Sequence, residues 1–209
     1  MTYVESRERP PLLMLFVKYP ELGRVKTRIA AEAGQEEAAV IYRQLVAAVL
    51  DGIPAGQRVR VLYDDFRAEW EYQNWLQHPA LVEAEFCPQS TGDLGQRLRA
   101  AFAAAFRSGW QRVGVIGSDC MELSSAIYAQ AWCALNTHDL VIGPTLDGGY
   151  YFLAMKTDEP SIFSDIEWSS ERVFTQTEAA AQAAGLTWKC LEPLRDIDTL
   201  KDWQETFRK

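Results

Sequence analysis

Apolar runs of strand length alternate along this chain with stretches in which apolar residues return every three or four positions. Residues 12–17, LLMLFV, form an unbroken apolar run that stops at Lys18-Tyr19-Pro20, the pattern of a strand buried on both faces. Ala38, Ile41, Tyr42, Leu45 and Val49 then recur at helical spacing until Asp51-Gly52 and Pro54 close the segment. The order repeats with a strand over 59–63, a helix over 66–76, a weaker strand over 82–86 and a loop over 88–92. Leu94, Leu98, Ala101, Phe102, Ala105 and Phe106 make an apolar stripe that predicts a helix ending near Gly109, and 113–116 reads as a central strand. A helix over 124–135, strands over 139–142 and 150–155, a helix over 171–184, an extended stretch over 186–191 and a last helix over 199–207, capped by Asp198, complete the pattern. Such alternation predicts an α/β fold, a three-layer α/β/α sandwich whose central sheet is mostly parallel. In such sheets ligands collect beyond the carboxyl ends of the strands. No repeat or linker interrupts the pattern, so residues 1–209 read as one domain.

Composition narrows the choice of ligand. Lys and Arg number 21 against 29 Asp and Glu, a net charge of −8, which argues against a broad basic surface for nucleic acid. A phosphate ligand therefore needs a local positive pocket. Cys87, Cys120, Cys133 and Cys190 form no C-x-x-C pair and no His-interleaved array, so reduced thiols in a cytoplasmic protein fit better than a zinc site or a disulfide scaffold. The polar start of the chain shows no export signal, and its longest apolar runs are too short to span a membrane.

Three segments carry candidate chemistry. Directly after the first strand, KYPELGRVKTR (18–28) offers Gly23 for close backbone approach and three cations, Arg24, Lys26 and Arg28, where helix N-terminal amides would also attract phosphate oxygens. It suits a pyrophosphate, or is simply a solvated basic turn opening a helix; it is no Walker loop. In VGVIGSDC (113–120), Asp119 stands just past a strand and can anchor Mg²⁺ together with donor phosphates, or else cap the next helix. In GPTLDGGYY (143–151), Asp147 can bind metal, orient an acceptor or act as a base, while Gly148 and Gly149 let a substrate lie against the main chain; a plain hairpin loop is the competing reading. Arg97, in TGDLGQR, sits where a binding rim or a capped helix is expected. Asp196 and Asp198 either cap the last helix or complete a metal site, and Glu167-Trp168-Ser169-Ser170 is a serine cap or an acceptor loop. No G-x-S-x-G elbow and no positioned Cys–His pair supports covalent catalysis.

Taken in order, GRVKTR, GDLGQRL, GSDC, GPTLDGGYY, WSS and DIDT resemble the bacterial rSAM/selenodomain-associated transferase 1 family of GT-A-fold transferases, and more distantly 2-phospho-L-lactate guanylyltransferase. The resemblance implies a metal-dependent transferase that uses a nucleotide or sugar-nucleotide donor, a small-molecule acceptor and Mg²⁺ or Mn²⁺. It places the donor over Gly23, Arg24, Lys26, Thr27 and Arg28, with Arg97, Ser118, Gly148 and Gly149 also binding. Asp119 becomes the principal metal ligand, with Asp198, or else Asp196, as the second; Lys26, Arg28 and Asp147 become the catalytic residues. A non-catalytic nucleotide-binding module of the same fold is the alternative. The family usually carries proline after GSDC, where this chain has Met121.

Overall fold

The computed structural model of the chain describes residues 9–206. Its sheet has seven strands in the order β3-β2-β1-β4-β6-β5-β7. β1 (Leu12–Val17) lies between β2 (Arg58–Tyr63) and β4 (Val113–Ile116), parallel to both, and β3 (Glu85–Pro88) adds to β2 in parallel. β5 (Leu140–Pro144) turns through 145–149 into β6 (Tyr150–Met155), which inserts antiparallel between β4 and β5; β7 (Trp188–Cys190) pairs in parallel with β5. The reversal matters for the site. It brings the first residue of β6 to the same edge of the sheet as the last residues of β1 and β4.

Successive strand side chains point to opposite faces, so one apolar run feeds two cores. Leu13, Leu15 and Val17 pack with α2 (Gln35–Gly52), α3 (Glu69–Trp75) and α5 (Ser125–Ala134). Leu12 and Met14 pack with α4 (Leu94–Arg107) and α6 (Val173–Ala183) on the other side. A third, smaller cluster joins Ile29 of α1 (Thr27–Ala33) to Ala38, Ile41 and Leu45 of α2 and to Ile197, with Leu200 and Trp203 of α7 (Leu200–Thr206) packed against it. The expected α/β architecture with a mostly parallel sheet is observed.

Three local expectations change. The basic segment stays a loop up to Lys26 and opens a helix, α1, whose extent the sequence does not mark, because only Ile29 in it is buried and it lacks a detectable apolar period. The third strand lies at Glu85–Pro88 and not 82–86, because Pro79 opens a short 3₁₀ turn (Pro79–Leu81) that leaves Val82 83% exposed, and Glu85 then meets Arg60 at 2.6 Å. Asp198 does not cap the last helix. Thr199 and Asp202 cap each other: Thr199 Oγ1 accepts from the Asp202 amide (3.2 Å) and Asp202 Oδ2 from the Thr199 amide (2.9 Å), which leaves the Asp198 carboxylate to face elsewhere.

Phe102 lies wholly buried on α4, with Phe163 at 5.6 Å and Phe106 at 6.3 Å between ring centroids. Its truncation opens a cavity that rigid neighbours cannot fill, so Phe102→Ala is expected to lower stability by about 3–5 kcal/mol, read from denaturant melts.

Candidate active site

Beyond the carboxyl ends of β1 and β4, the loops 18–26 and 117–124 separate and open a cleft of about 570 Å³. The start of α4, the start of β6 and the segment 196–198 close its other sides.

At one end of the cleft sits Lys26. Its ammonium lies 2.8 Å from Asp119 Oδ1 and 3.1 Å from Asp198 Oδ1, while Arg28 Nη1 reaches Asp198 Oδ2 at 3.4 Å. The Lys26 side chain is 6% exposed, whereas those of Asp119 and Asp198 are 39% and 41% exposed. The lysine thus lies beneath two carboxylates that open to the cleft. Burial disfavours its charge, but Asp119 and then Asp198 outweigh burial and raise its pKa above the ordinary value. The chain arranges this through buried neighbours. Val25 and Ile29 anchor the basic segment on either side of Lys26, and Ile197, buried in the third cluster, holds Asp196 and Asp198 on the opposite side of an extended backbone. The Ile197 amide donates to the Asp119 carbonyl at 3.0 Å, tying the two acidic segments together.

Asp196 also lines the cleft but accepts no hydrogen bond and makes no ion pair among the described residues. Burial, then the charge of Asp119, pushes its carboxyl up to about 7, with Lys26 pulling the other way. Tyr42 of α2 fastens the two strand ends from below: its hydroxyl accepts from the Lys18 amide (3.0 Å) and sits 3.1 Å from Ser118 Oγ. Cys120 is buried and its thiol is pushed up to about 12, which rules it out as a thiolate nucleophile.

The opposite half of the cleft is built differently. Gln89 donates to the carbonyls of Leu62 (2.7 Å) and Val17 (3.4 Å), so its amide oxygen turns to Arg97 Nη1 at 2.8 Å. All of Arg97's partners are neutral, and its positive charge has no carboxylate partner among the described residues. The buried hydroxyl of Tyr150, on the first residue of β6, has no hydrogen-bond partner among the described residues. Beside it, Ser169 takes φ +66, a left-handed conformation, in a loop held at two points. A methyl group at Gly95 would run into the Trp168 indole, and one at Gly148, where φ is +90, would run into the Glu171 carbonyl.

Of the residues expected at the site, Arg24, Lys26, Thr27, Arg28, Arg97, Ser118, Asp119 and Asp198 line this cleft. Arg24 is partly engaged elsewhere, 3.8 Å from Asp64 with its guanidinium 3.9 Å above the Phe66 ring. Gly23, Asp147, Gly148 and Gly149 do not line the cleft. Asp147 Oδ1 accepts from the Thr145 hydroxyl and the Gly149 amide, closing its own turn, though its charge is still felt by Asp196. Asp119 is not a helix cap, since the next helix begins at Ser125. Tyr42, Gln89 and Tyr150 went unnoticed because in sequence each resembles a core or loop residue; only the recurrence of Tyr42 on the buried face of its helix marked it at all.

Asp119 and Asp198 are two cleft carboxylates that could hold a divalent cation. Both already converge on one positive charge, both remain partly open, and two carboxylates with phosphate and water oxygens suit Mg²⁺ or Mn²⁺. Among the described residues no three His, Cys, Asp or Glu side chains group closely enough to hold a metal by themselves.

Residues 53–170 match the family described as uncharacterized protein conserved in bacteria (DUF2064). No curated protein matches. Among solved structures, a candidate nucleotide-diphospho-sugar transferase from Desulfovibrio desulfuricans G20 is 32% identical, with a TM-score of 0.87 over 95% of this chain and 86% of that one. A CMP:2-keto-3-deoxy-manno-octonic acid synthetase complexed with CTP shares the fold at 10% identity and a TM-score of 0.58, over 95% of this chain and 97% of that one. So does Rv0371C of Mycobacterium tuberculosis H37Rv in complex with manganese, at 11% identity and a TM-score of 0.57, over 94% and 97%.

Two expectations follow from the unpaired groups. With a carboxyl raised to about 7, folded Asp196 holds its proton where the unfolded chain has lost it, so stability falls as pH rises from about 4 to 7. Asp196→Asn should remove that loss and leave the chelator-treated protein more stable than wild type at pH 8, as thermal melts across pH will test. Tyr150→Phe deletes a buried donor that has no acceptor, and should stabilise the ligand-free protein by about 1 kcal/mol, measured by chemical denaturation.

Proposed function

The chain belongs to the bacterial family described as uncharacterized protein conserved in bacteria (DUF2064), and from that premise we propose that it is a metal-dependent transferase acting on a nucleotide donor and a small acceptor. Within that family we assign it to the rSAM/selenodomain-associated transferase 1 group on its ordered motifs. One observation carries the reading: Lys26 and Asp119, from loops after two different strands, meet at 2.8 Å inside the cleft. A cation set beside two open carboxylates, at the carboxyl edge of a mostly parallel sheet, suits a phosphate chain and its divalent ion.

In this reading Arg24, Lys26 and Arg28 hold the donor phosphates, and Asp119 with Asp198 holds Mg²⁺ or Mn²⁺. The ion supplies charge neutralisation for a phosphate leaving group. Catalysis rests on positioning and fixed charge, because no activated nucleophile lies in the cleft. Arg97, oriented by Gln89, presents a fixed positive charge to the bound molecules, and Tyr150 with Ser169 forms the acceptor-side wall. Asp147 shapes the turn that presents Tyr150. We favour nucleotidyl transfer, with pyrophosphate released, because synthetases of this fold match along nearly their whole length. Glycosyl transfer, with release of a nucleoside diphosphate, is the second reading, and the name of the 32% identical relative favours it. No helix among the described residues is long and apolar enough to cross a membrane, and all four cysteines are free. We place the enzyme in the cytoplasm, as one domain.

Thermal-shift screening of nucleoside triphosphates and sugar nucleotides, with and without Mn²⁺, should find donors that stabilise the protein only when metal is present, by about 2.7 kcal/mol at a hundredfold excess over Kd. Asp119→Asn should abolish that shift while the fold survives. A donor shift that ignores metal, with no product formed from any donor, would point instead to a binding module.

A further inference from the structure

We propose that Lys26 is a resident counter-cation of the metal site: without ligand its ammonium holds Asp119 and Asp198 turned toward one point, and a divalent ion displaces it toward the nucleotide phosphates, so that metal and phosphate bind together. The inference rests on the transferase reading and specifies how its site is loaded.

Charge is the first ground. Lys26 and Arg28 are matched by Asp119 and Asp198 at 2.8, 3.1 and 3.4 Å, so a phosphate approaching this corner meets ion pairs and not free cations. A polyanion gains little there until the carboxylates find another positive partner. Geometry is the second. The Lys26 side chain is 6% exposed against 39% and 41% for the two carboxylate side chains, so an incoming ion finds the carboxylates more open to the cleft than the lysine. The backbone is the third. Lys26 sits at φ 45, ψ 51, the left-handed region, at the N-cap of α1, where a non-glycine residue is strained. Its carbonyl is fixed by the Ala30 amide at 2.8 Å, and its neighbour Val25 is buried. This strained backbone aims the side chain at the carboxylates, and four rotatable methylenes leave the ammonium free to swing once they are taken.

A purely structural bridge makes the opposite prediction: without the lysine the carboxylates would splay and bind metal more weakly. Titration of the full chain with Mn²⁺ alone, followed by electron paramagnetic resonance of the free ion, separates the two. Lys26→Met should bind Mn²⁺ about tenfold tighter than wild type, a coupling of ordinary size for two linked sites. In thermal shift with Mg²⁺ and inorganic phosphate, wild type should show a shift from the pair that exceeds the sum of the separate shifts, and Lys26→Met should show only the sum. Should the variant fold poorly, NMR of the Lys26 ammonium in wild type gives the same answer: its signal should lose protection from solvent exchange as Mg²⁺ is added. Mn²⁺ affinity in a folded Lys26→Met that is equal to or weaker than wild type, or an ammonium signal indifferent to Mg²⁺, overturns the proposal. If wild type still binds nucleoside triphosphate with Mn²⁺ in that case, the transferase reading stands; if it binds neither, both fall.

Discussion

The contact between one buried ammonium and two half-open carboxylates organises this molecule's functional edge. Lys26, Asp119 and Asp198 come from three loops far apart in the chain, and like charges brought together without a partner would repel. Apolar residues do the assembling. Val25, Ile29 and Ile197 sink into the cores, and the backbone bond from Ile197 to Asp119 joins two of the loops directly. The hydrophobic effect thus supplies the work of gathering charge, and the charges decide what the gathered site can hold.

The two halves of the cleft follow different electrostatic plans. Lys26 and Arg28 each have a carboxylate neighbour, while among the described residues Arg97 has only carbonyl and amide oxygens and the Tyr150 hydroxyl has no partner. Compensated charge favours exchange of one partner for another. Uncompensated donors, fixed in place by Gln89 or by packing, favour a ligand that arrives with its own oxygens. A cleft that carries both is suited to two ligands that differ in how strongly they must be held.

Much of this is legible in the sequence. The alternation of apolar runs and helical stripes identified the sheet and its covering layers, since burial on two faces writes itself into composition. The cations at 24–28 and the acid at 119 were found for a related reason: each follows a strand end, where the fold opens. What stayed hidden depends on contacts that sequence does not encode locally. The short helix after Lys26 buries a single residue, too few to show a period. Asp147 stands in a glycine turn outside the cleft lining, and Thr145 and Gly149 donate to one of its carboxylate oxygens, a contact the sequence does not announce. Asp198 looked like a helix cap until Thr199 and Asp202 were seen to serve each other. Tyr150 is marked by the absence of a partner, which no pattern of residues can reveal.

The loop at 167–171 is held in shape by what two glycines lack, since Gly95 makes room for the Trp168 ring and Gly148 for the Glu171 carbonyl. The contour of that wall therefore depends on bare main chain at two distant points. Homologues, or libraries built in the laboratory, can retune what the cleft accepts at Ser169 with residues that tolerate its left-handed backbone, such as Gly or Asn, whereas a single added methyl at either glycine would redraw the frame itself.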